Sequence, residues 1–213
     1  MLTQQVIPCE TLELAKNRYR QLKRLHENWE VEIVGDSPPF SVVATPPEDQ
    51  NDKLNSTYLC FPFLKRPDDS IDYHVGCRKF GADRNEGRKH AGCDLIAPPG
   101  TKIFAMADGV VIRGPYCFYD GTYALEVESK DGVIIRYCEI SCDLPAGVEQ
   151  GKQVIRGQFI ARVGQLNSGR SMLHLEMYKG TANGKLTQPG TVFERRSDLI
   201  DPTNYLDDSR LLI

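Results

Sequence analysis

Residues 123–140 read YALEVESKDGVIIRYCEI, two runs of aliphatic, β-branched and aromatic residues set either side of Lys130-Asp131-Gly132. Asp-Gly between such runs is a strong hairpin signal, because Gly accepts the positive φ that a tight turn between twisted strands requires. The segments around this hairpin continue the theme. Lys102 to Arg113 (KIFAMADGVVIR) reads as a strand interrupted at Asp108-Gly109, and Gln153 to Val163 and Met172 to Tyr178 add further strands. No second long helical pattern competes with them, so the expected architecture is mainly β, an antiparallel sheet of at least five strands.

The N-terminal stretch differs. From Thr11 to Trp29, Leu12, Leu14, Ala15, Tyr19, Leu22 and Leu25 recur near helical spacing with basic residues between them, which predicts one amphipathic helix. A strand-like run, Trp29 to Val34, follows it. Asp36 to Lys53 is rich in Pro, Asp and Asn and is expected to be an irregular linker. The expected division is therefore 1–54, a helical extension with linker, and 55–213, the β domain.

Composition narrows the function classes. The chain has 213 residues with 26 Lys+Arg against 29 Asp+Glu, a net charge of −3 that supplies no electrostatic reason to bind nucleic acid or an anionic membrane. No stretch approaches the roughly 18 apolar residues of a membrane span. The start lacks the basic, apolar, small-residue order of a secretory signal, so the chain is expected to be made in the cytoplasm, and any extracytoplasmic work would need another export route. Seven cysteines, without a C-x-x-C pair, argue against a fully paired disulfide framework and against a Cys-based zinc site; buried reduced thiols are expected.

Only four histidines are present: His26, in the predicted helix, His74, in an irregular stretch, and the pair His90 and His174. His90 precedes Asp94 by four residues in KHAGCDL, and His174 lies in the strand-like MLHLEM. Two imidazoles and one carboxylate with an open position satisfy a catalytic zinc ion. Spacing alone also fits a surface hydrogen bond between His90 and Asp94. If residues 172–178 are extended, Met172, His174 and Glu176 share one face while Leu173, Leu175 and Met177 share the other. The apolar face should meet a core, and Glu176 would then orient His174 from behind across a common groove.

These motifs resemble a known family. FGADRNEGRKHAGCDLIAPPGTKIFAMADGVVIRG, residues 80–114, is similar to the start of the catalytic domain of lysostaphin-like zinc peptidases, which cut peptidoglycan peptides. RYCEIS, VEQGKQVIRGQFIARVG and GRSMLHLEM follow in the family's order, so the resemblance spans roughly Phe80 to Tyr178. It implies a lysostaphin-like β fold, Zn2+ held by His90, Asp94 and His174, and peptidoglycan as partner and substrate. Where the family carries two further histidines, this chain has Glu139 and Met172. Glu139 can serve as general base; Met172 neither donates nor accepts usefully. Arg84, Arg88, Tyr137 and Arg170 are candidates to supply the missing donor.

The expected activity is hydrolysis of an amide in peptidoglycan, by a stem-peptide endopeptidase or an N-acetylmuramoyl-L-alanine amidase. The alternative is an inactive zinc-bearing module that binds cell wall or a protein partner. The style of FGADR…GRKHAGCDL, residues 80–95, and the RRSDLIDPT tail is similar to peptidase domains of type VI secretion effectors. That resemblance implies an antibacterial toxin acting in the periplasm or cell wall of a target bacterium, paired with an immunity protein.

Overall fold

The structure, a computed structural model, describes residues 5–25, 30–35, 38, 40–45 and 58–212. It divides into two compact units between residues 57 and 58. In the first, strand β1 (Gln5–Cys9) leads into helix α1 (Leu12–Leu25), followed by β2 (Glu30–Val34) and β3 (Phe40–Thr45). The three strands pair antiparallel in the order β1-β3-β2. Of the apolar set expected on helix α1, Ala15 and Leu22 are buried while Leu12 and Leu14 are exposed, and Val31, Val42 and Ala44 are buried in the same unit. Phe40–Thr45 corrects the expected linker: FSVVAT is a β-branched run between prolines, and the flanking Pro and Asp content hid it. His26 and Trp29 lie outside the described residues.

The second unit holds β4 (Cys93–Ile96), β5 (Lys102–Phe104), β6 (Gly109–Cys117), β7 (Tyr123–Ser129), β8 (Ile134–Ile140), β9 (Gln153–Val154), β10 (Phe159–Arg162), β11 (Met172–Tyr178), β12 (Leu199–Ile200) and helix α2 (Thr203–Asp207). The main sheet runs β12-β11-β8-β7-β6-β9, with β4 also pairing β11. All of its pairs are antiparallel. The chain is therefore mainly β, and β7 and β8 form the hairpin that the opening motif predicts.

Two expected strands are each split between sheets. Residues 102–113 divide into β5 and β6, and residues 153–163 into β9 and β10; β5 and β10 form their own two-stranded ribbon. At the first break a Cβ on Gly109 would stand 2.3 Å from the Glu128 carbonyl oxygen, so only glycine lets β6 enter the sheet there. Pro202 stands at the N-cap of α2, whose Leu206 is fully buried. All seven cysteines are free; Cys9, Cys60, Cys93 and Cys138 are buried, and Cys77, Cys117 and Cys142 are exposed.

The core lies on one face of the main sheet, where Leu125, Ile135, Tyr137, Leu173, Leu175 and Met177 meet Leu95, Ile103 and Ile160. Alternation along β11 behaves as expected: Leu173, Leu175 and Met177 enter this core, which leaves Met172, His174 and Glu176 on the opposite, polar face.

Candidate metal centre

Asp94 on β4 stands directly across the ladder from His174 on β11, and Cys138 on β8 flanks His174 from the other side. His90 reaches the same point from the segment before β4. Between His90 and Asp94, a Cβ on Gly92 would lie 2.2 Å from the Leu175 carbonyl oxygen and 3.0 Å from the His174 ring, so glycine allows the chain to pass against β11. The result is a buried cluster. His90 Nε2 lies 2.9 Å from His174 Nδ1, His174 Nδ1 lies 2.8 Å from Asp94 Oδ1, and His90 Nε2 lies 3.0 Å from Asp94 Oδ1.

The outer ring nitrogens decide what the inner ones present. His90 Nδ1 lies 2.8 Å from the Lys79 carbonyl oxygen, which can only accept, so that nitrogen carries the hydrogen. His174 Nε2 likewise donates to Glu176 Oε1 at 3.0 Å. With those hydrogens placed outward, neutral rings turn two lone pairs toward each other and toward Asp94 Oδ1. Three acceptors in such proximity demand positive charge between them. The demand is visible in the acid–base balance. Burial acts to lower His174, yet the hydrogen bonds to Asp94 and Glu176 outweigh it and raise the ring to about 9. Burial likewise acts to raise Asp94, and its bonds to His174 and His90 hold it well below the usual carboxylate range. Ligand atoms about 2.05 Å from a tetrahedral zinc ion stand about 3.3 Å apart, a few tenths of an ångström wider than these separations. Among the described residues this His-Asp-His group is the one His/Cys/Asp/Glu cluster able to hold a metal ion.

Glu139 arrives by a different device. Strict alternation after Tyr137 would send it into the core. Instead the β7–β8 register shifts, with Tyr123 opposite Ile140 and Ala124 opposite Cys138, so that Glu139 is the extra residue of a bulge. Its φ of 62° is left-handed, which costs a non-glycine residue about 1–3 kcal/mol and is found where the surroundings over-determine it. Its carboxyl interacts with His174, Asp94, Arg170 and Asp120. Its Oε2 is buried without a hydrogen-bond partner. Burial chiefly, helped by Asp94 and Asp120 and opposed by His174 and Arg170, raises Glu139 to about 7.

The remaining candidates separate. Arg84 Nη2 lies 3.4 Å from Asp94 Oδ2, beside the cluster. Arg170 is exposed and its charge reaches Glu139. Arg88 is paired on the surface with Glu194 at 3.2 Å. Met172 is buried on the polar face, two residues before His174. Tyr137 is a correction: it is fully buried on the core face, where its hydroxyl accepts the Met106 N–H at 2.8 Å, because its position in β8 alternates with Arg136 and Cys138. Glu176 does not face an open groove as expected but is fully buried. His74 lies apart, its ring between Asp72 (2.6 Å) and Asp207 (3.0 Å).

Sequence reasoning missed the layer around Glu176. Its Oε1 accepts from Arg195 Nε (2.7 Å) as well as from His174, and its Oε2 accepts from Arg136 Nη1 (3.0 Å) and the Tyr178 hydroxyl (2.6 Å). Burial acts to raise this carboxyl, and bonds to His174 and the charges of Arg195 and Arg136 hold it well below the usual range. Phe118 stacks on His174 with centroids 6.1 Å apart. Arg136 was legible from alternation in IIRYCEI; Arg195, in an irregular segment, carried no signal.

Residues 88–189 match peptidase family M23. A peptidoglycan DD-endopeptidase of Vibrio cholerae, ShyC, is 31% identical over 133 residues, 61% of this chain and 29% of that protein. Two structures of lysostaphin, one described as the antimicrobial peptidase of Staphylococcus simulans, share the fold. One superposes with a TM-score of 0.50 at 19% identity over 71% of this chain, and the other with 0.52 at 20% over 72%. The chain spans 55% of each lysostaphin chain and less than a third of the Vibrio protein.

Proposed function

We propose, from the match of residues 88–189 to peptidase family M23, that the protein is a zinc-dependent hydrolase of peptidoglycan, with His90, Asp94 and His174 as ligands and Glu139 as general base. The observation that carries this reading is the convergence of three acceptors within 3.0 Å of one another. A zinc ion held there supplies a Lewis acid for the amide carbonyl and acidifies water.

The chain's own residues account for the rest. Lys79 and Glu176 hold the outward hydrogens of His90 and His174, so both rings keep their lone pairs aimed inward. Glu139, which burial raises to about 7 in the metal-free protein, is a carboxylate that can take a proton from attacking water and return it to the leaving nitrogen. Met172 provides no donor, and with Tyr137 in the core and Arg88 bound to Glu194, Arg84 and Arg170 are the cationic side chains left to stabilise a developing oxyanion. The Vibrio relative's description favours a stem-peptide endopeptidase over an amidase.

The test is to incubate purified sacculi with zinc-loaded protein and with chelator-treated protein, and to analyse released muropeptides by mass spectrometry. Release by the loaded form alone is expected. No release under any divalent metal would overturn the enzyme and favour a zinc-bearing binding module. Delivery as an antibacterial toxin with an immunity partner rests on resemblance alone. Growth arrest on periplasmic expression supports it, and harmless periplasmic expression of a protein that cuts sacculi rejects it.

A further inference from the structure

We infer that the hairpin of residues 186–196 is a brace for the metal centre, and that Arg195 is a positioning residue that sets His174 through Glu176. The inference rests on the zinc-ligand reading above.

The hairpin is built to hold its shape. At its root Arg196 forms a two-bonded pair with Asp198 (2.7 and 2.9 Å) and donates to the Gly184 carbonyl at 3.1 Å. The Arg196 N–H donates to the Leu186 carbonyl at 2.9 Å. Its turn is closed by Gln188 N–H to the Glu194 carbonyl (3.1 Å), Glu194 N–H to the Thr191 carbonyl (3.0 Å) and Arg195 N–H to Thr191 Oγ1 (3.1 Å).

From that frame it touches the segment that carries His90 and the strand that carries His174. At the tip the Val192 carbonyl accepts the N–H of Lys89, the residue before His90, at 2.8 Å, and Phe193 stacks on Phe80 with centroids 5.0 Å apart. On the inner side Arg195 Nε donates at 2.7 Å to Glu176 Oε1, the same oxygen that takes the His174 Nε2 hydrogen. Thr187 Oγ1 accepts from Arg136 Nη1, which also binds Glu176 Oε2. The carboxylate that fixes the His174 ring is thus gripped at each oxygen by a different arginine. Arg136 grips it from within the sheet, and Arg195 from a segment that continues beyond the 88–189 family match.

Outer partners of metal ligands fix ring orientation and basicity, and their loss costs about 10–100-fold in metal affinity. The experiment is zinc competition against a chromophoric chelator, with the visible spectrum of the Co2+-substituted protein, for wild type, Arg195→Met, Arg195→Gln, Arg195→Lys and, as a control on the exposed Lys152, Lys152→Ala. Expected are a roughly 10–100-fold loss of zinc affinity and an altered Co2+ spectrum in Arg195→Met, substantial recovery in Arg195→Lys, and wild-type values in Lys152→Ala. If Arg195→Met does not fold by circular dichroism, Arg195→Gln carries the same expectation, since it removes the charge while leaving a polar tip. Wild-type affinity and spectrum in the folded Met or Gln variant would overturn the brace and leave the zinc reading intact. A wild-type protein that takes up no zinc would remove both.

Discussion

Two buried glutamates lie on either side of His174, Glu176 along β11 and Glu139 at the bulge of β8, and they stand in opposite protonation regimes. Glu176 is fully buried and Glu139 is 8% exposed, so burial pushes both carboxyls upward. Glu176 receives four donors, two of them arginines, and is held anionic. Glu139 has a buried oxygen with no donor and is raised to about 7. The number of donors, and not the depth of burial, decides which carboxylate stays charged. One anchors the His174 ring, and the other exchanges a proton near neutrality in the metal-free protein.

That contrast can be broken at several points. The largest effect is expected from Glu139→Gln, which should slow muropeptide release by about 10²–10⁴-fold while zinc affinity is retained. Unchanged release would remove Glu139 from the chemistry. Glu176→Gln should act on the fold instead: it strips the counter-charge from buried Arg136 and Arg195, and breaking one side of such a pair costs about 3–5 kcal/mol. Denaturant midpoints at constant m-value measure this, and a loss under about 1 kcal/mol would mean that the anchor is dispensable.

Between these lies a pH effect in the metal-free protein. Glu139 is raised from its usual 4.5 to about 7, so the folded state binds more protons than the unfolded state between those values. Unfolding free energy from this group therefore falls as pH rises through that window, by at most roughly 3 kcal/mol. Glu139→Gln should be as stable as wild type near pH 4 and more stable at pH 8, and a stability difference that does not change with pH would refute the shift. The smallest effect belongs to Tyr137→Phe, which leaves the buried Met106 N–H unpaired and should cost about 1–3 kcal/mol with the rate of muropeptide release unchanged. A large loss of activity in a stable variant would return Tyr137 to the site.

Legibility followed periodicity. The β7–β8 hairpin and the two faces of β11 follow from alternation, and His90, Asp94 and His174 could be nominated because few residue types bind zinc. Glu139 was legible only through resemblance, since alternation alone sends it to the core and a register shift, invisible in composition, brings it back. Phe40–Thr45 was obscured by the prolines around it, and Arg195 by having no regular element to sit in.

What the amino-acid order alone determined is local: the period-two pattern that divides β8 and β11 into an apolar and a polar face, and the donor types spaced along the chain. Convergence of His90 and His174, 84 residues apart, the bulge that swings Glu139 outward, and the hairpin that carries Arg195 to Glu176 exist only once the sheet is assembled. Ladder register and the exclusion of water set distances and proton affinities between groups remote in sequence, and neither is a property of any short segment.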